Sequence, residues 1–159
     1  MKRIILTPNP YRDKNFQTVR KAVEILKNAG VDPRVCLPFE VDRSFDLPRD
    51  IRFSRLDREM PNAAAVICFG GDGTILHAAK DASNFGVPIV GVNMGSVGFM
   101  AELEQSEILQ LTRLISGEYK LENRMLLDVR VIRDGRTLFR STALNDALCT
   151  MSPSAQYVP

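Results

Sequence analysis

The clearest chemical signal is five consecutive residues, Gly70 to Thr74, which read GGDGT. Three residues without side chains let the backbone approach a ligand closely and offer successive amide groups to an anion. Asp72, the only carboxylate among them, is repelled by a phosphate chain unless it binds a metal ion or accepts a proton. In phosphoryl transfer, an aspartate that accepts the proton of the attacking hydroxyl is a recurring part. The pentapeptide therefore indicates kinase-like chemistry with Asp72 as the base.

A structural interpretation of GGDGT is the alternative. Glycines often end strands, and an Asp or Thr before a helix often caps its free amide groups. The segment is neither a Walker A loop, since it lacks Gly-Lys-Ser/Thr, nor a dinucleotide GxGxxG motif. The motif thus favours a reaction type and leaves the phosphoryl acceptor open.

Two further segments combine residues of interest. Gly91 to Met100 reads GVNMGSVGFM, where three glycines predict a second backbone surface and Phe99 offers an apolar face to a purine base. The alternative is that Phe99 belongs to the core. Asn145 and Asp146 lie within the apolar segment ALNDAL and have the donors and acceptors that sugar hydroxyls need, although a simple turn would also explain them.

The elements that must position these residues alternate between strands and helices. Apolar runs predict strands, and apolar residues at helical spacing predict helices. The alternation predicts an α/β fold, with an open, mostly parallel Rossmann-like sheet and helices on both faces. GGDGT then follows a buried parallel strand, at the edge where such sheets bind ligands. The predicted strands are Lys2–Thr7, Pro33–Leu37, Ala63–Phe69 and Val87–Val92, and the predicted helices are Asn15–Ala29, Thr74–Asn84 and Glu104–Ser116, with a short helix near Phe53–Glu59.

The pattern changes after Gly117. Arg124–Arg133 and Thr137–Leu148 read as strands flanking an Asp134-Gly135 turn, which favours a hairpin. Two or three strands cannot bury a face of their own. We therefore expect an α/β domain over 1–117 and the first strands of an incomplete β-rich domain over 118–159.

Charge, cysteine content and hydrophobic pattern limit which partners the chain can bind and which cellular compartment it occupies. The 159 residues include 21 basic and 19 acidic ones, so a net charge of +2 gives no electrostatic footprint for nucleic acid or an anionic membrane. Cys36, Cys68 and Cys149 form no CxxC pair, which argues against a disulfide framework or a zinc cluster. The chain has no signal-peptide pattern and no apolar run of about 18 residues. A cytoplasmic, unexported protein is expected.

Other conspicuous residues have simpler interpretations. His77, the single histidine, follows GGDGT by one helical turn but has no visible partners, so a surface or packing role is favoured. Cys68 lies in a buried strand and is expected to be an inert apolar residue. The arginines at every third position from Arg49 to Arg58 alternate with acidic residues, as on an ordinary solvated face.

Taken together, four segments resemble the NAD kinase family. GGDGT, GVNMGSVGFM, ENRMLL at Glu122–Leu127 and LND at Leu144–Asp146 occur in that family's order and approximate spacing. The resemblance implies transfer of the γ-phosphoryl group of ATP, or of a phosphoryl group of polyphosphate, to the adenosine-ribose 2′-hydroxyl of NAD. It also implies roles for individual residues: Asp72 as catalytic base, Gly70, Gly71, Gly73 and Thr74 as phosphate loop, Leu76 and Phe99 in the adenine pocket, and Asn145 with Asp146 on the other half of the dinucleotide.

The resemblance further implies a divalent metal, Mg²⁺, and homo-oligomers in full-length members. This chain departs from the family after the Asn-Asp pair, where CTMSPSAQYVP replaces a β-rich domain. We therefore expect a truncated or diverged form with weak or no activity of its own. Two alternatives stay open: a lipid kinase of the diacylglycerol or sphingosine type, although those usually carry a GTGND-like segment downstream, and a nucleotide-binding module without catalysis.

Overall fold

A single parallel sheet organises the first part of the molecule, in a computed structural model that describes residues 3–42, 45–95 and 98–147. Every neighbouring pair of strands in it is parallel. The spatial order is 3-2-1-4-5-6, so the chain reverses its direction of travel across the sheet between strands 1 and 4. The strands are β1 (Arg3–Pro8), β2 (Asp32–Cys36), β3 (Phe53–Ser54), β4 (Ala63–Gly70), β5 (Ile89–Asn93) and β6 (Leu103–Glu104).

Helices cover both faces of this sheet. The α-helices are α1 (Gln17–Asn28), α2 (Leu56–Glu59), α3 (Asp72–Phe85) and α4 (Thr112–Ser116), and the 3₁₀ helices are Lys14–Phe16, Met60–Asn62 and Gln105–Leu111. None of the helices in the described ranges has the length and apolar character needed to cross a bilayer. The predicted α/β fold, an open parallel sheet with helices on both faces, is confirmed.

The alternation of side chains along each strand decides which helix lies on which face. Ile4 and Leu6 pack in one core with Phe16 and the buried side of α1, together with the 3₁₀ helix Gln105–Leu111. Ile5, between them in sequence, packs in the other core, under α3. Both faces of the central strands are therefore buried, which explains why β4 is a continuous apolar run and why Ile4, Ile5 and Leu6 are consecutive in β1.

The second part of the chain contains a β-hairpin. Contacts divide the chain into two compact units, Met1–Glu122 and Asn123–Pro159. In the second unit, β7 (Leu127–Arg133) pairs antiparallel with β8 (Arg136–Ala143). Asp134 and Gly135 connect them with positive φ angles of 49° and 74°, as a type I′ turn requires. The hairpin prediction is confirmed, while the division into domains 1–117 and 118–159 stays a prediction.

Several predicted elements were wrong in detail. The segment near Phe53 begins with the two-residue strand β3, and helix α2 follows only at Leu56. The predicted helix over 104–116 is mostly 3₁₀, over Gln105–Leu111, before the short α4. Strand β8 ends at Ala143, so Asn145 and Asp146 lie beyond it and are exposed rather than enclosed in an apolar strand. Leu148, Cys149 and the rest of the C-terminal segment lie outside the described residues.

Candidate active site

The candidate site lies where the order of strands reverses. β1 and β4 are neighbours in the middle of the sheet, but β1 continues outward to β2 whereas β4 continues to β5 on the other side. The loops that leave their carboxyl ends therefore diverge, which opens a crevice at that edge. GGDGT begins at Gly70, the last residue of β4. The motif thus occupies the position where open α/β sheets bind ligands.

Hydrogen bonds join the strand-end loops around this crevice. The amide of Asn9, directly after β1, donates to the carbonyl of Phe69 at 2.8 Å. The Asn9 side-chain amide donates to the Thr74 hydroxyl at 3.2 Å. From the third loop, after β5, the amide of Met94 donates to the carbonyl of Gly70 at 2.9 Å. The loop after β4 is therefore held on both sides by its neighbours.

The three glycines of GGDGT serve different purposes. A Cβ on Gly70 would lie 2.1 Å from the Thr74 hydroxyl oxygen, so glycine is needed there for the loop to pack. A Cβ on Gly71 or Gly73 would meet nothing within 4 Å. These two positions leave the backbone accessible from the open side, as a phosphate loop requires. Because Gly71 is the N-cap of α3 and has no side chain, the first amide groups of that helix are left for water or an anion.

Asp72 is the first residue of α3 and is half-buried. Its Oδ1 accepts a hydrogen bond from the amide of Met100 at 3.0 Å, and its Oδ2 accepts one from the amide of Phe99 at 3.3 Å. A Cβ on Gly98 would lie 3.6 Å from Asp72 Oδ1, so the segment Gly98–Met100 lies directly against the carboxylate. A carboxylate has about four lone-pair positions, so two remain after these bonds. The side chain is oriented and still able to accept a proton.

The second glycine segment is anchored by a polar pair that the sequence analysis did not single out. Asn93 ends β5, is 5% exposed, and accepts a hydrogen bond from the amide of Gly95 at 3.1 Å. Its side-chain amide donates to the carboxylate of Glu104, at the end of β6, at 3.2 and 3.3 Å. A polar residue ending a buried strand was the available signal for Asn93. Ser96 and Val97 of this segment lie outside the described residues.

The predicted adenine-pocket residues differ in burial. Phe99 is 89% exposed, so the alternative that it belongs to the core is wrong. Leu76 is half-buried on α3. Asn145 and Asp146 belong to the second unit, so the pairing of these two residues with Asp72 in one site stays a prediction.

The remaining reactive side chains agree with their simpler interpretations. Burial raises the pKa of both the Cys36 and the Cys68 thiol to about 12, so neither is a nucleophile at neutral pH. His77 is exposed and its ring lies 5.5 Å from that of Phe39. The four arginines at every third position are all exposed, in agreement with an ordinary solvated face: Arg49, Arg52, Arg55 and Arg58.

No group of three His, Cys, Asp or Glu side chains within 3–42, 45–95 and 98–147 is arranged to hold a metal ion. Phosphotransferases commonly bind Mg²⁺ through one or two carboxylates together with substrate phosphates and water. Asp72 is a suitable ligand of that kind, because the described residues occupy only two of its lone-pair positions. The expected divalent metal stays a prediction.

These features define the class of protein: a Rossmann-like α/β domain with a glycine-rich phosphate loop and one oriented carboxylate at the switch point of its sheet. The profile of the ATP-NAD kinase N-terminal domain matches residues 4–119. The chain therefore belongs to the NAD kinase family. This result removes the lipid-kinase alternative.

Individual relatives agree with this assignment. The chain is 35% identical over 151 residues to an NAD kinase of Corynebacterium diphtheriae, covering 91% of this chain and 47% of the relative. It is 34% identical over 161 residues to an NAD kinase of Mycobacterium bovis, covering 94% and 52%. Among solved structures, yeast NADH kinase in complex with NADH superposes with a TM-score of 0.70 at 21% identity, covering 91% of this chain and 47% of that one, which supports the fold. The chain spans about half the length of these relatives.

Proposed function

We propose that this chain carries the phosphate loop and the catalytic base of an NAD kinase, which converts NAD to NADP by phosphorylating the adenosine-ribose 2′-hydroxyl. The observation that carries the proposal is the position of Asp72. It begins the helix after a glycine loop, at the switch point of the sheet, and its carboxylate is oriented by the amides of Phe99 and Met100. Relatives named NAD kinase that match most of the chain support the choice of acceptor.

The reaction assigns each part of the loop a task. The backbone amides around Gly71 and Gly73 would hold the phosphate groups of the donor, because no side chain stands between them and the crevice. Asp72 would accept the 2′-hydroxyl proton as the oxygen–phosphorus bond forms. The bond between the transferred phosphorus and its bridging oxygen breaks, and the shortened donor leaves. Phe99, exposed beside Asp72, would stack on the adenine of NAD, and Leu76 would line the same pocket.

ATP or polyphosphate is the proposed donor, Mg²⁺ the proposed metal, and the cytoplasm the proposed compartment. Asn145 and Asp146 would contact the other half of the dinucleotide. Both are exposed. Since the relatives are about twice as long, we expect the purified 159-residue chain to form little or no NADP; rapid formation by this chain alone would contradict that expectation.

The replacement Asp72→Asn tests the proposed base. It removes the proton acceptor and keeps the size of the side chain, so any measurable NADP formation should fall by about 10²- to 10⁴-fold. Calorimetry should show NAD binding within about threefold of the unchanged chain. Asp81→Asn, nine positions further along the same helix, is the matched control and should leave both quantities unchanged.

A second readout of the same variant does not depend on turnover. Because the Asp72 carboxylate repels nearby phosphate groups, Asp72→Asn should bind ATP in the absence of metal several-fold more tightly, whereas Asp81→Asn should not. Unchanged NADP formation in Asp72→Asn would exclude this residue as the base. A chain that binds neither NAD nor ATP would exclude both the kinase and the non-catalytic nucleotide-binding module.

A further inference from the structure

A cavity of about 190 Å³ opens beside the candidate site, on the face of the sheet that α1 covers. It is lined by Arg12, Asp13, Lys14, Gln17, Met94 and Gln105. These residues come from the loop after β1, the start of α1, the loop after β5 and the segment after β6. The cavity therefore lies at the carboxyl edge of the sheet, as GGDGT does.

Two cations and one carboxylate line this cavity, so its net charge is positive. Asp13 is 1% exposed, and its two carboxylate oxygens accept hydrogen bonds from the amides of Thr18 and Val19, each at 2.9 Å. Asp13 thus caps α1. Arg12 and Lys14, by contrast, are exposed, and within the described part of the chain neither side chain has an ion pair or hydrogen bond. Two cations that the described residues leave unpaired therefore line a cavity that also offers the amide group of Gln17.

The walls of the cavity are joined to GGDGT on both sides. Met94 donates its amide to the carbonyl of Gly70 at 2.9 Å. Arg12 donates its amide to the carbonyl of Asn9 at 3.1 Å, and the side chain of Asn9 reaches Thr74. The Arg12 guanidinium lies 3.7 Å from the place a Cβ would take on Gly95, so it extends toward the loop after β5. A chain of phosphates leaving GGDGT would therefore meet these cations.

We propose that this cavity binds the phosphate-anhydride chain of the phosphoryl donor, through Arg12 and Lys14. The inference rests on the proposed function and extends it to the donor subsite. In an in-line transfer the attacking and leaving oxygens lie on opposite sides of the phosphorus. Asp72 and the exposed Phe99 mark the acceptor side, so the rest of the donor extends away from them. The cavity, with its net positive charge from Arg12 and Lys14, offers that path and attracts a polyanion that Asp72 repels.

The test measures binding, so it does not require the chain to turn over. Calorimetry on the full 159-residue chain would use inorganic tripolyphosphate and ATP as donor probes and NAD as the acceptor probe. Arg12→Gln combined with Lys14→Gln should weaken tripolyphosphate and ATP binding by about tenfold or more, as expected for lost charge-assisted hydrogen bonds. NAD binding should change by less than threefold. Both side chains are exposed, so thermal unfolding should confirm that the variant folds.

The matched control removes the same charge elsewhere. Arg58→Gln with Lys80→Gln changes two exposed cations on α2 and α3, the helices of the opposite face, and should leave all three affinities unchanged. Similar affinities for ATP and tripolyphosphate would support the phosphate chain itself as the ligand, and tighter ATP binding would support a nucleotide donor at the same cations. The inference would be overturned if both double variants weakened tripolyphosphate and ATP binding equally, or if the unchanged chain did not bind tripolyphosphate. It would also be overturned if only NAD binding were lost. If the chain did not bind NAD, but replacing Arg12 and Lys14 still weakened tripolyphosphate binding, the proposed function would be overturned instead.

Discussion

At the scale of single residues, Gly70 and Gly71 are adjacent glycines with opposite requirements. A Cβ on Gly70 would overlap the Thr74 hydroxyl, which is buried and accepts a hydrogen bond from Asn9. Gly70→Ala should therefore lower the free energy of unfolding by about 1–3 kcal/mol, the usual range for overpacking. Thermal or denaturant unfolding of the purified chain measures this loss.

Gly71→Ala is the matched variant. Its Cβ would meet nothing within 4 Å, and its φ of −108° suits any residue, so stability should change by less than about 0.5 kcal/mol. The added methyl group would instead obstruct a phosphate on the backbone, and ATP affinity should fall several-fold. Equal destabilisation by the two substitutions would contradict the assignment of Gly70 to packing and Gly71 to binding.

Residues of the site differ in how readily a sequence discloses them. Asp72 can be predicted from the sequence because the glycines that surround it in the loop are also adjacent to it in the chain. Asn9 follows β1 and Asn93 ends β5, and both reach the site only because β1, β4 and β5 are adjacent in the sheet. Asn93 has only the weak local signal of a polar residue ending a buried strand, and Asn9 has none that separates it from an ordinary turn residue, so their role at the site becomes visible only with the fold.

At the scale of elements, Asp13 is the residue on which the start of α1 depends. Its buried carboxylate accepts the amides of Thr18 and Val19, and no other side chain in the described residues caps this helix. Asp13→Ala leaves two buried amide groups without partners and should cost about 2 kcal/mol. Denaturant unfolding measures the loss, and Glu24→Ala, exposed on the same helix, is the control expected to cost less than about 0.5 kcal/mol. Equal effects would show that the cap is unimportant.

Elements whose own residues form an apolar run or a periodic pattern were predictable from the sequence. Short strands that exist only because a neighbouring strand pairs with them were not. Ala63–Gly70 is apolar throughout and was predicted within one residue of its end. Strand β3 has two residues, Phe53 and Ser54, and exists because Val35 and Cys36 of β2 pair with it. Strand β6 depends on β5 in the same way. Two residues carry no periodicity, so a sequence pattern cannot disclose such strands.

At the scale of the whole molecule, two buried thiols report on the integrity of the sheet. Burial raises the pKa of Cys36 and of Cys68 to about 12 from an ordinary value of 9.0. The unfolded chain loses these protons near pH 9 and the folded chain retains them, so this contribution to stability is complete below pH 9 and is lost as the pH rises toward 12.

Two measurements check this expectation in a Cys149→Ser background. At pH 8, a thiol reagent should label neither Cys36 nor Cys68 until denaturant unfolds the chain. Above pH 9 the free energy of unfolding should decline, and Cys36→Ala with Cys68→Ala should reduce that slope. Rapid labelling of the native chain would contradict the burial of these thiols.

The two compact units differ in how much apolar surface they bury, and their local stabilities should differ accordingly. Val66 in β4 is fully buried, whereas Val131 in β7 is 51% exposed and pairs with Phe139, which is 56% exposed. A two-stranded hairpin without a covered face is marginally stable. Backbone amides of β1 and β4 should therefore exchange with solvent only on global unfolding, and those of β7 and β8 should exchange orders of magnitude faster.

The same difference should appear in two valine substitutions. Val66→Ala should lower the free energy of unfolding by about 2 kcal/mol, from lost burial plus the cavity, and Val131→Ala should lower it by less than about 0.5 kcal/mol; denaturant unfolding measures both. Amide exchange in the hairpin as slow as in the central strands, or equal costs of the two substitutions, would mean that the apolar side of β7 and β8 is covered in solution.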